Sequence, residues 1–197
     1  NRKKMLSLEE SLKILKETNA LIEGHFILSS GLHSSKYVQC AQLMSRPEYA
    51  VKICESLSNK IKNEFKDFDL ILSPAMGGIL VGYELGKMLN KKTIFSERVN
   101  GYFKLRRDFR IKENDKVLIV EDVITTGKSS IECSELVKVN KAKVIGYACI
   151  IDRSIGKSKI KEKIVSQVQL DIPTYKKDNL PKELISIKPI KPGSRNL

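Results

Sequence analysis

The segment of this 197-residue chain best suited to chemistry is Val117-Leu-Ile-Val-Glu-Asp-Val-Ile-Thr-Thr-Gly-Lys-Ser-Ser130. Four apolar residues predict a buried strand, and two adjacent carboxylates, Glu121 and Asp122, stand at its predicted end. Carboxylates placed there can accept hydrogen bonds from the vicinal hydroxyls of a ribose. An ordinary strand–turn–helix would account for the Thr and Gly residues. It would not account for two carboxylates against a buried strand, where unpaired charge is costly.

The turn after the carboxylates predicts a phosphate site. It consists of Thr125, Thr126, Gly127, Lys128 and Ser129, and it leads into a predicted helix that runs through Val137. Hydroxyls and backbone amides at a helix N-terminus bind anions. The Gly-x-x-x-x-Gly-Lys pattern of a Walker A loop is missing, so a monophosphate fits better than a nucleoside triphosphate. One loop could therefore hold a ribose 5-phosphate by both ends.

The elements that must position this loop are short apolar runs that alternate with helices. The predicted strands cover residues 70–72, 93–95, 117–120 and 144–151. Continuous apolar runs indicate a parallel sheet covered on both faces, hence an α/β doubly wound core of four or five strands. Ligands of such sheets bind at the carboxyl ends of the strands. We therefore expect one site where Ser73–Gly78, Glu121–Ser129 and Asp152-Arg153 meet.

The remaining segments supply two helices, a lid and a tail. Ser7-x-x-Glu10 is a capping box that opens a helix within residues 7–22, and Pro47 begins a second helix. Residues 24–34 are turn-rich, and the tail from Leu170 is predicted to be irregular. Residues 97–116 form a long charged loop, and such loops often act as lids.

The net charge of +13 comes from 36 Lys and Arg residues against 23 Asp and Glu residues. Most of the basic residues are Lys, dispersed as in Lys157–Lys163, which is typical of a solvated surface. Nucleic-acid readers favour Arg, so we expect no nucleic-acid partner, although a positive field would also assist an anionic substrate.

The sequence predicts a protein of a reducing cytosol. Its four cysteines include no C-x-x-C pair, and with only two histidines no zinc site can be assembled. The basic N-terminus is not followed by the apolar segment of a secretory signal, and no apolar run is long enough to span a membrane.

The 117–130 segment resembles the phosphoribosyl-diphosphate loop of type I phosphoribosyltransferases. Further motifs, in order, are similar to those of orotate phosphoribosyltransferases of the short bacterial and archaeal form, and the resemblance covers nearly the whole chain. These motifs are Gly24-His-Phe-x-Leu-Ser-Ser-Gly-Leu-His-Ser34 with Tyr37, Glu97-Arg98 with Leu105-Arg-Arg107, Ile151-Asp-Arg153, and Lys191-Pro-Gly-Ser-Arg195.

The resemblance implies a role for each matching residue. It assigns the binding of 5-phosphoribosyl 1-diphosphate (PRPP) to Glu121, Asp122, Val123, Ile124, Thr125, Thr126, Gly127, Lys128 and Ser129, with the two carboxylates on the ribose hydroxyls. It assigns the pyrophosphate loop to Met76 and Gly77, and the binding of orotate to Thr125 and Arg153. A guanidinium fork suits the carboxylate of orotate. Arg98 and Lys104 in the lid are the implied catalytic cations.

The resemblance also implies transfer of a phosphoribosyl group from PRPP to orotate, giving orotidine 5′-phosphate and pyrophosphate in de novo UMP synthesis. Mg²⁺ would be carried by the diphosphate, with no metal ligands from the protein. The enzyme would be a cytoplasmic homodimer whose lid reaches the neighbouring site. The whole chain would form one phosphoribosyltransferase domain, with an α/β core at 46–170 and a hood and tail from 1–45 and 171–197.

Two alternatives remain at this stage. A purine-type phosphoribosyltransferase would share the phosphoribosyl loop, although Thr125 favours orotate. A non-catalytic regulator that binds nucleic acid on the same fold would agree with the net charge. His25 and His33 are interpreted as structural, because an anionic pyrimidine nitrogen that attacks an activated sugar needs little proton transfer. Where longer relatives carry lysines, this chain has Val99-Asn100-Gly101, so Lys104 is a candidate only.

Overall fold

The computed structural model describes residues 4–193, which form a six-stranded sheet flanked by helices, with a small hairpin beside it. The helices are α1 (Leu8–Glu17), α2 (Cys40–Met44), α3 (Pro47–Glu64), α4 (Gly78–Leu89), α5 (Lys128–Val139) and α6 (Lys182–Ile185). The strands are β1 (Leu21–Ile27), β2 (His33–Val38), β3 (Leu70–Pro74), β4 (Lys92–Val99), β5 (Tyr102–Leu105), β6 (Lys116–Ile124), β7 (Lys143–Asp152) and β8 (Ile164–Gln169).

The large sheet has the order β5-β4-β3-β6-β7-β8, and every neighbouring pair is parallel except β4 and β5. On β6, Leu118 and Val120 belong to the hydrophobic layer under α1, α3 and α4. Val117 and Ile119 belong to the opposite layer, under α5. Because both faces are covered, the strand is apolar at every position, which confirms the predicted doubly wound α/β core.

The hood is a β1–β2 hairpin that the C-terminal segment joins on both edges. Ile27 N donates to Ile190 O at 2.9 Å, and His33 N donates to Tyr175 O at 2.8 Å. The prediction of a turn-rich stretch over residues 24–34 was wrong, because only Leu28–Leu32 turns and the rest is strand. Of the residues that signal turns here, Gly24 lies at a register shift in β1 between Glu23 and Phe26, whereas Ser29, Ser30 and Gly31 lie in the turn itself.

Other boundaries also differ from the sequence prediction. The sheet has six strands rather than four or five, because β8 was missed in a half-polar segment and β5 lies inside the predicted 97–116 loop. That loop opens as an antiparallel β4–β5 hairpin in which Arg98 pairs with Phe103. Antiparallel pairing satisfies backbone groups that a solvated loop would leave to water, so charged residues can still form strand.

The predicted helix starts are confirmed. Ser7 Oγ accepts from Glu10 N and Glu10 Oε2 accepts from Ser7 N, both at 3.1 Å, and Pro47 is the first residue of α3. Helix α1 ends at Glu17, short of residue 22, because Asn19 adopts a left-handed φ of 60°. All four cysteines are buried and free. Within residues 4–193, no helix has the length and apolarity needed to cross a membrane.

The packing of α4 against β3 leads to a prediction about stability. A Cβ on Gly82 would overlap Ser73 Oγ, a buried hydroxyl with no hydrogen-bond partner among the described residues. We expect Gly82→Ala to lower the free energy of unfolding by about 2 kcal/mol through overpacking. In a Ser73→Ala background the same change should be neutral or stabilising, because the overlapping oxygen is gone and Ala favours a helix over Gly. Equal effects of Gly82→Ala in both backgrounds, measured by urea unfolding, would contradict this packing.

Candidate active site

Three loops meet at the carboxyl ends of β3, β6 and β7, which are neighbours in the sheet. Gly77, after β3, lies so close to β6 that a Cβ there would stand 2.7 Å from Asp122 Oδ2. Arg153, after β7, donates its backbone N–H to Ile124 O at 2.8 Å. The parallel strands thus bring together the three segments that the sequence predicted to share one site.

The two adjacent carboxylates diverge, although they lie within β6 rather than at its end. Glu121 turns toward α5, where its Oε2 accepts a hydrogen bond from Ser130 Oγ at 3.1 Å. Asp122 turns toward Gly77, and its Oδ1 accepts from Val123 N at 2.8 Å. The strand extends past them because Val123 and Ile124 still pair with β7. Their side chains pack into the two hydrophobic layers.

Both carboxyl groups have raised pKa values because they are largely withdrawn from water. Burial first, and then the charge of Asp122, raise the pKa of Glu121 to about 8, while the Ser130 hydrogen bond and Arg98 oppose the rise. Burial also raises the pKa of Asp122, against the opposing Val123 hydrogen bond. Neither group forms a salt bridge with any residue between 4 and 193. The site therefore holds two acceptors in need of a donor or a cation.

The turn after β6 leads into the N-terminus of α5. Gly127 is the N-cap, with a left-handed φ of 83° and no side chain of its own to cap the helix. Thr126 Oγ1 accepts the Lys128 amide at 3.2 Å. Thr125, Thr126 and Lys128 are exposed. A helix N-terminus without a side-chain cap, with hydroxyls beside it, suits an anion of phosphate size.

Arg153 and Met76 flank the carboxylates from the other two loops. Arg153 Nε is buried without a hydrogen-bond partner in the described chain, and burial lowers the pKa of the guanidinium, which still stays charged near neutral pH. Met76 is exposed beside Gly77 in the turn that precedes α4, and the Ala75–Met76 peptide bond is cis. A buried donor without a partner is a group that a ligand oxygen could satisfy.

The structure does not bring the two lid cations together. Arg98 pairs with Phe103 and Lys104 pairs with Glu97, so Arg98 and Lys104 lie on opposite faces of the β4–β5 hairpin. Arg98 faces α5, where Nη1 donates to Glu132 Oε2 at 2.7 Å and the guanidinium stacks 4.1 Å from the centre of the Phe103 ring. On the other face, Glu97 binds Arg107 through two hydrogen bonds of 3.0 Å.

Sequence reasoning missed the polar residues that support the site. Ser130 holds Glu121, Glu132 holds Arg98, and Ser154 donates to Asp152. An Asp-x-Ser spacing is a known turn signal and could have identified Ser154, whereas the two other contacts join distant elements. The histidines lie in the hood, where His25 Nε2 and His33 Nδ1 share a 2.6 Å hydrogen bond. The motif Lys191–Arg195 extends beyond the described residues at Ser194 and Arg195.

The chain matches the profile of the phosphoribosyl transferase domain over residues 42–178. It is 44% identical over 190 residues to an orotate phosphoribosyltransferase of Parvibaculum lavamentivorans, covering 96% of this chain and 98% of that protein. It is 43% identical over 193 residues to an orotate phosphoribosyltransferase of Maricaulis maris, covering 98% of this chain and 100% of that protein.

A solved structure has a similar fold. The crystal structure of orotate phosphoribosyltransferase from Aeropyrum pernix superposes with a TM-score of 0.70 over 80% of this chain and 92% of that one. The identity is 24%, so this likeness shows the fold alone.

The raised pKa of Glu121 generates a pH-dependent stability prediction. Between its ordinary value of 4.5 and about 8, the folded protein keeps a proton on Glu121 that the unfolded chain has lost. Folding is therefore progressively disfavoured as pH rises through this window, and the full cost is present above pH 8. We expect Glu121→Gln to unfold at a higher temperature than the wild type at pH 9, with the difference vanishing near pH 4.5.

The matched control is Glu113→Gln, which removes a negative charge from an exposed position. Calorimetry across the pH range would separate the two variants. A Glu121→Gln protein that is no more stable than the wild type at pH 9 would show that ionised Glu121 does not destabilise the folded protein.

Proposed function

Because this chain belongs to the orotate phosphoribosyltransferases of the phosphoribosyl transferase domain family, we propose that it transfers the phosphoribosyl group of PRPP to N1 of orotate. The products are orotidine 5′-phosphate and pyrophosphate, and the reaction serves the de novo synthesis of UMP. The observation that carries this proposal is the meeting of three loops around Asp122, with Gly77 on one side and the Arg153 backbone on the other.

The PRPP half of the site is assigned to β6 and the turn that follows it. Glu121 and Asp122 accept hydrogen bonds from the ribose hydroxyls, which add to the bond that Glu121 accepts from Ser130 and the bond that Asp122 accepts from Val123. The 5-phosphate binds the turn of Thr125, Thr126, Gly127, Lys128 and Ser129 at the start of α5. Val123 and Ile124 contribute through their backbone, because their side chains are committed to packing.

The orotate half of the site is assigned to Arg153 and Thr125. The unpartnered Arg153 Nε is a donor that a carboxylate or carbonyl oxygen of orotate would satisfy. Thr125 is exposed one residue beyond the end of β6, and the Arg153 backbone is bonded to Ile124, so the two residues lie near each other. We therefore propose that the base binds between the ends of β6 and β7.

The pyrophosphate group of PRPP is assigned to the turn with Met76 and Gly77. The carboxylates beside that turn lack a cation, which fits a divalent metal brought in on the diphosphate. We expect Mg²⁺ to be held mainly by PRPP itself, because Mg²⁺ in such sites is bound largely through phosphate oxygens and water. Bound Mg²⁺ supplies neutralisation of the charge that develops on the leaving pyrophosphate.

The protein itself positions the two substrates and excludes water from the site. The transition state has oxocarbenium character, with positive charge on the ribose ring and negative charge on the departing pyrophosphate. The side chains of Glu121 and Asp122 lie on the ribose side, and lid cations complement the leaving group. Arg98 and Lys104 are the proposed cations. Their placement on opposite faces of the hairpin supports a lid that serves a neighbouring site with one face.

The two rival functions are less well supported. A purine-type transferase would share the PRPP turn, but the relatives that match along the full chain at 43–44% identity are named for orotate. A nucleic-acid-binding regulator would use the positive charge, yet Arg98 of the hairpin is paired with Glu132, and Arg107, just after the hairpin, is paired with Glu97.

We also propose the organisation and location of the enzyme. The hood hairpin is bonded to the C-terminal segment at Tyr175 and Ile190, which supports one domain with a core at 46–170 and a hood from 1–45 and 171–197. The four buried thiols are free, as in reducing compartments, which supports a cytoplasmic location without a membrane partner.

The function is tested by following the near-UV absorbance of orotate on mixing protein, orotate, PRPP and Mg²⁺. We expect a fall in absorbance that needs both PRPP and Mg²⁺ and that hypoxanthine does not inhibit. The control is the Asp122→Asn variant, which should lose most turnover while keeping its fold. Turnover of hypoxanthine instead would establish the purine alternative. No turnover of either base, together with a salt-dependent gel shift on DNA or RNA, would favour the regulator.

A homodimer is supported by an apolar stripe beside the pyrophosphate turn. Met76, Leu80 and Tyr83 are 86%, 57% and 62% exposed, and the spacing of Leu80 and Tyr83 places them on one face of α4. Exposed apolar patches of this kind mark interfaces. We expect Leu80→Arg to convert a dimer to a monomer in sedimentation velocity, whereas Ile185→Arg, at an equally exposed position on α6, should not. A monomeric wild type would refute the dimer, and a dimeric Leu80→Arg would place the interface elsewhere.

A further inference from the structure

Asp152 and Ser154 are the sequence neighbours of Arg153 at the end of β7, and both are buried, at 4% and 5% exposure. Asp152 Oδ1 accepts two hydrogen bonds from Ser154, one from the backbone N at 2.8 Å and one from Oγ at 2.6 Å. A buried carboxylate is costly unless it is hydrogen-bonded, and Ser154 supplies both of these bonds. What these bonds hold is the backbone on either side of Arg153.

The backbone around Arg153 is also tied to both neighbouring strands. Arg153 N donates to Ile124 O of β6 at 2.8 Å, and Leu170 N, just after β8, donates to Asp152 O at 2.9 Å. The chain then turns sharply, and Lys157 N donates to Ser154 O at 2.8 Å. In this turn Ile155 has a φ of 47°, a left-handed conformation that a β-branched residue adopts only under restraint. The Asp152–Ser154 bonds supply that restraint.

The side chain that this turn presents is a guanidinium whose Nε is buried and lacks a partner among the described residues. A planar fork recognises a carboxylate only within a narrow range of angles, so its use depends on where the backbone points it. Arg153 has no ion pair within residues 4–193 to orient it instead. Its direction is therefore set by the turn.

We propose that Asp152 and Ser154 are positioning residues for recognition of the base: they fix Arg153 so that its fork meets the orotate carboxylate, without touching the substrate. This inference rests on the proposed function, in which Arg153 binds orotate. It adds that the affinity for the base is governed by a buried Asp-x-Ser turn behind the binding residue.

The test is a steady-state comparison of variants in the orotate assay. Ser154→Ala removes one of the two hydrogen bonds, and we expect the KM for orotate to rise about tenfold, as for loss of one hydrogen bond to a charged group. The kcat at saturating orotate and the KM for PRPP should stay within about twofold of the wild type. Asp152→Asn keeps an oxygen that can accept both bonds, so it should stay within about threefold of the wild-type KM for orotate.

A matched control is Ser130→Ala, which also deletes a buried hydroxyl that donates to a carboxylate, in this case Glu121. It should raise the KM for PRPP more than the KM for orotate, the reverse of Ser154→Ala. Melting temperatures of both variants identify any general loss of structure. Arg153→Ala gives the upper limit for the change in the KM for orotate.

The outcomes are distinct. An unchanged KM for orotate in Ser154→Ala would overturn the inference alone, since the wild type still works. Equal changes in both KM values and in kcat, accompanied by a lower melting temperature, would also overturn it, because they describe general destabilisation. Absence of wild-type turnover would overturn the proposed function and this inference together. A selective rise in the KM for orotate in Ser154→Ala, without such a rise in Asp152→Asn, would support it.

Discussion

The site depends on two carboxyl groups held on a central strand of the sheet without a salt bridge to any residue between 4 and 193. Glu121 accepts a hydrogen bond from Ser130 and Asp122 accepts one from Val123, and burial raises the pKa of each. A protein retains such a cost where a ligand removes it, since a bound group that donates hydrogen bonds or carries positive charge restores the balance. The neighbouring loops surround this pair: Gly77 approaches Asp122 closely, and α5 begins directly behind Glu121.

The elements around the carboxyl groups differ in how firmly they are packed. β3, β6 and β7 are adjacent parallel strands whose apolar faces are covered on both sides, so their carboxyl ends cannot shift independently. The residues proposed to bind phosphate, base and pyrophosphate all lie within a few positions of the ends of these strands. The β4–β5 hairpin differs, because it lies at the sheet edge and is held by surface ion pairs such as Arg98 with Glu132. Exposed pairs of this kind contribute little to stability.

The hood hairpin is stabilised by the C-terminal segment, which lies far from it in the sequence. Its β1–β2 hairpin has polar and apolar residues without regular alternation, and a two-stranded hairpin alone is marginal in water. The C-terminal segment adds a backbone partner on each edge, at Tyr175 and Ile190, and His25 bonds to His33 and to Ile187 O. The hood and the end of the chain therefore stabilise each other.

The sequence alone determined the α/β class, the helix starts at Ser7 and Pro47, and the three loops that meet, because each depends on local pattern or on the rule that parallel strands end at one edge. It did not determine that residues 24–34 and 97–105 are hairpins, since strand pairing there is decided by partners far along the chain. Nor could it place Arg98 and Lys104 on opposite faces, because that follows from the cross-strand register. The turn behind Arg153 and the bond from Ser130 to Glu121 likewise required the tertiary structure, because burial decides which polar groups must find a partner.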